Sequence, residues 1–223
     1  MNYMFARLNV YDLLRRIFIE EPSVPLLQYL KTIDMDYLVP HEELNVSSGI
    51  EYLANSLNYL KGITISTTSQ AYQDLHWDYT QLFIGPHELP ASPWESSYKH
   101  DRLLFTQTTM DVAKFYSENG FYLPESEHEA ADHIGFELDF MYHLARNVDF
   151  DTSLLSFKNI HNVKNQVNFL ENHLLSFLDE LMRKIQNSAQ TDFYINMSRF
   201  TKEFINHDYK EIKKILLSTN NKK

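Results

Sequence analysis

The chain has 223 residues, of which 43% are hydrophobic and 14% aromatic, so a substantial core can form. Its 20 basic and 30 acidic residues give a net charge of −10, which suits a basic partner and argues against a nucleic-acid-binding surface. The chain contains no cysteine, which excludes disulfides, thiolate nucleophiles and thiolate metal ligands.

Two adjacent arginines near the N-terminus, Arg15 and Arg16, superficially resemble an export signal. Glu20, Glu21 and Pro22 follow them where such a signal has an apolar segment, so we interpret the pair as part of a first helix. No apolar run approaches the roughly 18 residues that a membrane-spanning helix needs. We therefore expect a cytoplasmic protein without stable membrane insertion.

Helical patterns begin close to the N-terminus. The helices predicted for the first part of the chain cover residues 5–20, 25–32, 49–61 and 69–84. A polar, turn-rich stretch at 34–47 interrupts them, and Gly85 with Pro86 ends the last one. The apolar seam of this last helix has spacings of three and four and consists of Tyr72, Leu75, Tyr79 and Leu82.

Two capping patterns predict where the next helices begin. Ser92 and Glu95 form a capping box with Pro93 at the first helical position, which predicts a helix over 92–119. A second capping box predicts a helix over 126–146. The core stripe of that helix is Ile134, Leu138, Met141 and Ala145.

Beyond Gly135 the chain contains neither glycine nor proline, which favours long helices. A long amphipathic helix is predicted over 160–185, with a seam at Ile160, Val163, Val167, Leu170, Leu174, Phe177, Leu181 and Ile185. A final helix over 191–217 should bury Met197, Phe200, Phe204, Ile212 and Ile215. The predicted fold is all-α, a compact single-domain helical bundle over residues 1–223.

The second predicted capping site is rich in histidine and carboxylates. Glu129, His133 and Glu137 recur every four residues, so they would share one face of the predicted helix. A helical di-metal site needs a Glu-x-x-His motif on two helices, and the chain has only one, so no metal or other cofactor is predicted. The alternative left open is a helical metal-dependent hydrolase or oxidase that uses these three residues and Asp132.

No motif of a common enzyme class is present, so the chain is predicted not to be an enzyme. Instead, an apolar concavity is predicted where an aromatic helix end meets a proline-rich loop. Tyr79, Leu82 and Phe83 lie on the helix, and Pro93 and Trp94 lie in the loop. Such rigid walls suit the hydrophobic side chains of a peptide, although the three helix residues taken singly are more typical of ordinary core packing.

Two separated segments resemble the signatures of the TorD/DmsD family of redox-enzyme maturation chaperones. The first reads YTQLFIGP at 79–86 and LPASPWESSY at 89–98, and the second reads EAADHIGFELDFM at 129–141. The resemblance covers about residues 75–142. Ala130 stands where the family usually has proline, which leaves the detailed geometry before Asp132 open.

The resemblance implies an all-helical fold of the TorD type and a cytoplasmic chaperone of anaerobic respiration. Its partners would be the twin-arginine leader and the apo form of a molybdenum enzyme, held for cofactor insertion before export. Asp132 would pair an arginine, and His133 would orient Asp132 or donate to a backbone carbonyl. The peptide-binding candidates carried over by position are Tyr79, Leu82, Phe83, Pro93, Trp94, Asp132 and His133. The client enzyme, the choice between leader, mature body or both, the binding of a nucleotide and the oligomeric state (monomer or homodimer) stay open.

Overall fold

The computed structural model describes residues 3–38, 49–85, 88–99, 106–124, 129–148 and 156–220. Within these ranges the chain is helical, and its only β pairing is one isolated bridge. The helices are α1 (Tyr3–Ile19), α2 (Val24–Thr32), α3 (Met35–Leu38), α4 (Ile50–Gly62), α5 (Gln70–Tyr79), α6 (Gln107–Glu118), α7 (Ile134–Arg146), α8 (Phe157–Phe169), α9 (Leu175–Ser188) and α10 (Asp192–Asn220). The all-α prediction is confirmed.

Serine caps define the starts of several helices. The Oγ atoms of Ser23, Ser69 and Ser156 each accept a hydrogen bond from the backbone N–H three residues further on, at 3.2 to 3.3 Å. Each cap satisfies a backbone donor that the helix leaves free, which stabilises the helix by about 1 kcal/mol. Gly120 follows α6 with a φ of 70°, a conformation that stops the helix.

Two wider helical turns lie inside the helices predicted over 69–84 and 160–185. A π-helical turn at Thr80–Ile84 extends α5, and its closing bond runs from the N–H of Gly85 to the carbonyl of Thr80 at 2.8 Å. A second π-helical turn at Leu170–Leu174 joins α8 to α9 as one continuous helix. Both predicted helices are confirmed, each with one extra residue in a turn.

The predicted helix over 92–119 is wrong in its first part, whereas its second part is confirmed as α6 (Gln107–Glu118). Only a 3₁₀ turn at Glu95–Tyr98 forms at its start, and α6 begins at Gln107. The capping box does not form because the Ser92 hydroxyl donates to Ser97 Oγ at 2.7 Å. The N–H of Glu95, in turn, donates to the carbonyl of Asp132 at 2.9 Å.

The predicted start of the next helix is also wrong. Residues 126–128 lie outside the described ranges, but residues 129–133 are described and are not helical. Helix α7 begins at Ile134, and its N-cap is His133, whose Nδ1 accepts from the N–H of Gly135 at 3.1 Å. Glu129, His133 and Glu137 therefore do not share one helix face.

A single hydrophobic cluster draws side chains from every one of these helices. In it α1 packs along α7, and α10 packs along α4 and α9. The predicted seams are buried except at Tyr72, Ile160 and Ile215, which are half-buried. The description of residues 1–223 as one domain stays a prediction. No helix in the described ranges combines the length and apolarity that crossing a bilayer requires.

A buried ion pair connects the first helix to the last. Arg7 Nε lies 2.6 Å from Asp208 Oδ1, and neither side chain has exposed surface. The hydroxyls of Tyr3 and Tyr11 donate to the same carboxylate at 2.8 and 2.7 Å. This network fixes α1 beside α10 and so positions the C-terminal end of α1, where the candidate site lies.

Candidate functional site

A short antiparallel bridge joins the two segments that carry the family signatures. Trp94 and His133 are its paired residues. The backbone N–H groups of Ile134 and Glu95 donate across the bridge at 2.8 and 2.9 Å. The loop that carries Trp94 is thus fixed to the start of α7.

The carboxylate of Asp132 lies behind this bridge and has no exposed surface. Its Oδ2 accepts from the backbone N–H of Ser96 at 2.8 Å, and its Oδ1 accepts from the Thr109 hydroxyl at 2.9 Å. Asp132 therefore ties the 3₁₀ turn and α6 to the segment before α7. In this conformation both oxygens are buried and bonded within the protein, and a contact of Asp132 with a peptide arginine stays a prediction.

The side chain of Glu95 points to the interior rather than capping a helix. Lys99 Nζ and His173 Nδ1 each lie 3.1 Å from its carboxylate, and the Ser176 hydroxyl donates to it at 3.0 Å. Glu95 thereby links the Trp94 loop to the continuous helix formed by α8 and α9.

A second buried carboxyl group belongs to Glu137 on α7 and has no exposed surface. Burial, together with the negative charges of Glu95 and Asp132, raises the pKa of Glu137 well above its usual range. This environment favours the neutral form of Glu137, while Glu95 has Lys99, His173 and Ser176 as partners.

Aromatic rings meet where the end of α5 crosses the end of α1. The ring centroids of Tyr79 and Phe83 lie 5.0 Å apart, and Phe18 of α1 contacts Phe83 at 6.1 Å. Tyr194 of α10 contacts Tyr79 at 6.1 Å. The Tyr79 hydroxyl donates to the carbonyl of Phe18 at 3.2 Å, and burial raises the pKa of Tyr79.

The π-helical turn decides which residues share a face at this end of α5. In a π turn the hydrogen bond spans five residues, so residue 84 lies above residue 79 rather than above residue 80. Ile84 is consequently placed over Tyr79, beside Phe83, and Gly85 is placed over Thr80. The exposed fraction of Ile84 is 48%, high for such an apolar side chain.

These elements enclose a cavity of about 190 Å³, here called the aromatic cavity. The described residues that line it are Ile19, Glu21, Tyr79, Phe83, Ile84, Trp94, Glu129, His133 and Phe136. Rings provide most of the wall, whereas Glu21 and Glu129 are exposed and place two carboxylates at its mouth. The aromatic cavity can therefore take a side chain that has an apolar stem and a cationic end.

The structure brings together four of the seven candidate residues predicted from sequence. Tyr79, Phe83, Trp94 and His133 all line the aromatic cavity. The other three are buried nearby in different roles. Leu82 lines a second cavity, Pro93 accepts a backbone hydrogen bond across the bridge, and Asp132 braces the loop.

His133 contributes a neutral ring to the aromatic cavity. Burial lowers the pKa of His133 to about 4. Because Nδ1 accepts the hydrogen bond from Gly135, the ring proton resides on Nε2. Trp94 and Phe136 lie edge-on and tilted against this ring, at centroid distances of 5.9 and 5.5 Å. A neutral His133 does not repel a cation that enters the cavity.

Sequence reasoning missed part of the cavity wall. Ile19 is the last residue of α1, Glu21 follows that helix, and Phe136 comes from the first turn of α7. Glu21 follows the two arginines directly after the first predicted helix, but nothing in its local pattern connects it to Tyr79. That proximity arises from the crossing of α1 and α5, which is a tertiary feature.

Among the described residues, no group of three or more histidines and carboxylates is arranged to hold a metal ion. Of the four residues in the metal hypothesis, Asp132 and Glu137 are buried in the interior and Glu129 is exposed. They do not converge on one point, so the hydrolase or oxidase alternative gains no support from the described geometry.

Sequence comparisons connect the chain to known chaperones. A family model described as the nitrate reductase delta subunit matches residues 45–183. A probable Tat proofreading chaperone DmsD from Haemophilus influenzae is 27% identical over 63% of this chain and 63% of its own length. A chaperone protein TorD from Vibrio cholerae is 25% identical over 75% of this chain and 73% of its own length. A chaperone protein TorD from Aliivibrio salmonicida is 23% identical over 92% of this chain and 93% of its own length.

A solved structure supports the same fold. The crystal structure of a putative redox enzyme maturation protein from Archaeoglobus fulgidus superposes with a TM-score of 0.56. The superposition covers 89% of this chain and 93% of the archaeal chain, at 19% sequence identity. The names of all these relatives describe chaperones or maturation proteins, and none describes a catalyst.

Proposed function

We propose that this chain, which belongs to the nitrate reductase delta subunit family together with the TorD and DmsD chaperones, binds the twin-arginine leader of a molybdenum enzyme. The observation that carries the proposal is the aromatic cavity with Glu21 and Glu129 at its mouth. Holding the leader would keep the apo-enzyme from export until its cofactor is inserted. Because the leader is present only before export, this action belongs in the cytoplasm.

An arginine side chain fits the chemistry of the aromatic cavity. The guanidinium can pair with the carboxylates of Glu21 and Glu129 while its stem and flat face lie against the rings of Tyr79 and Trp94. The cavity volume of about 190 Å³ is below the range of roughly 300–1,000 Å³ typical of small-molecule sites. It therefore suits one side chain of a peptide better than a whole cofactor.

Asp132 takes a positioning role in this proposal rather than a contact with the leader. Its carboxylate holds the N–H of Ser96 and so fixes the loop that carries Trp94. An Asp132→Asn variant keeps one acceptor and loses the charge, so the loop should shift and leader affinity should fall while the protein stays folded. Thermal unfolding measured beside leader affinity separates this outcome from loss of the fold.

The decisive test is titration calorimetry against twin-arginine leader peptides of the host's molybdenum enzymes. Each peptide is paired with a control in which both arginines are Gln. We expect saturable binding to one leader, weakened at least about 10-fold in its control, as for loss of a charge-assisted pair. If no leader binds to the folded protein, the leader-binding function is wrong and binding of the mature body becomes the better hypothesis.

Variants of the protein then test whether Glu21 and Glu129 pair with an arginine of the leader. The double variant Glu21→Gln, Glu129→Gln should lose about 10-fold in affinity for the native leader, since two exposed pairs are together worth about 1–2 kcal/mol. The same variant should bind the Gln-substituted peptide as wild type does. Glu118→Gln and Glu180→Gln, two exposed carboxylates outside the cavity, give a matched control for the change in net charge.

A further inference from the structure

A second cavity lies beside the aromatic cavity, across the end of α5. It has a volume of about 410 Å³, and we call it the Trp77 groove. Its wall includes Trp77, Leu82, Gly85, Leu89 and Pro90. The exposed fraction of Trp77 is 58%, although tryptophan is the side chain that gains most from burial in an interface.

The π-helical turn at Thr80–Ile84 lies between the two cavities, which meet at its end. Ile84 lines the aromatic cavity above Tyr79, while Gly85 lines the Trp77 groove above Thr80. Two consecutive residues at the end of one helix thus belong to the two cavities. An extended peptide that passes over Ile84 and Gly85 would contact both.

The two cavities differ in charge. The aromatic cavity carries the carboxylates of Glu21 and Glu129 at its mouth. In the Trp77 groove the only charged side chain among the described lining residues is Glu88, and it is exposed. The aromatic cavity therefore suits a cation, and the Trp77 groove suits an apolar segment.

Hydrogen bonds hold one wall of the Trp77 groove in place. The buried carboxylate of Asp78 accepts from the backbone N–H groups of Gln190 and Thr191, at 2.8 to 3.1 Å, and from the Thr191 hydroxyl at 2.6 Å. These bonds fix the turn that follows Ser188, a lining residue of the groove. A wall formed in advance lowers the entropy that a peptide loses on binding.

We infer that the Trp77 groove binds the apolar segment that follows the two arginines of the leader. The inference rests on the proposed leader binding and adds a second subsite to it. A leader of this class presents its charges first and its apolar residues next. That order matches the step from the acidic mouth of the aromatic cavity, over Ile84 and Gly85, to the wall around Trp77, Leu89 and Pro90.

The two tryptophans of the protein are placed to report on the two subsites separately. Trp94 lines the aromatic cavity, Trp77 lines the groove, and the chain has no other tryptophan. In a Trp94→Phe variant, the emission of Trp77 should shift to shorter wavelength when the native leader is added at saturation. A peptide that keeps both arginines but carries Ser and Gly in place of the apolar segment should cause no such shift.

Affinities provide the second measurement. Trp77→Ala should weaken binding of the native leader about 10-fold, as for an interface tryptophan, and should leave binding of the Ser/Gly peptide unchanged. Tyr122→Ala is the matched control, because Tyr122 is also an exposed aromatic side chain and lines neither cavity. Equal weakening of both peptides, or no weakening of either, would overturn the inference.

The outcomes distinguish failure of the groove from failure of the proposed function. In one outcome, binding of the native leader depends on its arginines while the emission of Trp77 does not shift and Trp77→Ala does not change the affinity. In that case only the groove assignment is wrong. If no leader binds to wild type, the proposed function and the groove assignment are both wrong. A Trp77 emission that depends on protein concentration and not on leader would identify the groove as a contact between copies of the chain, which also overturns the inference.

Discussion

The buried carboxyl group of Glu137 makes the stability of the fold depend on pH. Its carboxyl group lies in the interior, where burial and the nearby Glu95 and Asp132 raise its pKa well above the usual range. A folded-state pKa above the unfolded value means that the folded protein binds more protons, so stability falls as the pH rises above the ordinary carboxyl pKa. Lys99 reduces this effect but does not reverse it.

Replacing Glu137 by Gln should remove this dependence on pH. Because Gln is neutral and nearly the same shape, the variant should gain stability relative to wild type as the pH is raised from 5 to 8. Urea unfolding at several pH values measures the difference in unfolding free energy. For Glu118→Gln, at an exposed site, the plot of unfolding free energy against pH should run parallel to that of wild type. A parallel plot for Glu137→Gln as well would show that Glu137 is charged in the fold.

Residue types alone predicted the aromatic wall but not the roles of its neighbours. Tyr79, Phe83 and Trp94 were recognisable because aromatics at a helix end and in a proline-rich loop are unusual. Asp132 was predicted to meet an arginine, whereas its carboxylate bonds to Ser96 and Thr109. That bonding depends on a loop placed by tertiary contacts, which the local pattern does not contain.

At the scale of helices, the close approach of α1 and α7 depends on one glycine. A Cβ atom on Gly135 would lie 2.5 Å from Ile19 Cγ1 and 3.0 Å from the backbone nitrogen of Ile19. Those distances are too short for a side chain, so α1 and α7 meet here only because residue 135 has none. Ile19 is also part of the aromatic cavity wall.

Gly135→Ala should therefore destabilise the protein by about 1–3 kcal/mol, as overpacking does, despite the better helix propensity of alanine. Leader affinity should fall with it, because the Ile19 wall must move. Gly62→Ala at the end of α4 is the matched control, since a Cβ there meets nothing within 4 Å. Equal thermal midpoints for the Gly135 variant and wild type would contradict the packing described.

The sequence predicted helices well where apolar periodicity was long and failed at the two capping boxes. The patterns at 160–185 and 191–217 extend over many turns, and their burial is confirmed at Val163, Phe177 and Phe204. The box at Ser92 has the right residues for a helix start. Instead, the N–H of Glu95 donates to the carbonyl of Asp132 in the bridge to the start of α7. No local sequence pattern indicates such a long-range hydrogen bond.

At the scale of the whole molecule, the ion pair of Arg7 and Asp208 joins α1 to α10, the first and last of the described helices. Arg7→Met would leave the Asp208 carboxylate buried without its counter-charge, which should cost about 3–5 kcal/mol. Arg16→Met is the control, because Arg16 is partly exposed in the same helix and its ion pair is worth under about 1 kcal/mol.

The double variant Arg7→Met, Asp208→Leu tests the cause of that loss. Removing both charges should recover part of the stability, because no uncompensated charge is left in the interior. Chemical denaturation of the wild type, both single variants and the double variant gives the coupling between the two sites. A double variant no more stable than Arg7→Met would mean that the loss comes from packing rather than from the buried charge.

The same pair has a consequence for how the chain is made. Arg7 and Asp208 are separated by 201 positions, so their contact cannot form while the chain between them is still being synthesised. Until α10 leaves the ribosome, Arg7 has no counter-charge to pack against, so α1 and the segment after it, with Ile19 and Glu21, are not held in place. A nascent copy would therefore lack a finished aromatic cavity until synthesis has passed Asp208 and α10 has packed against α1.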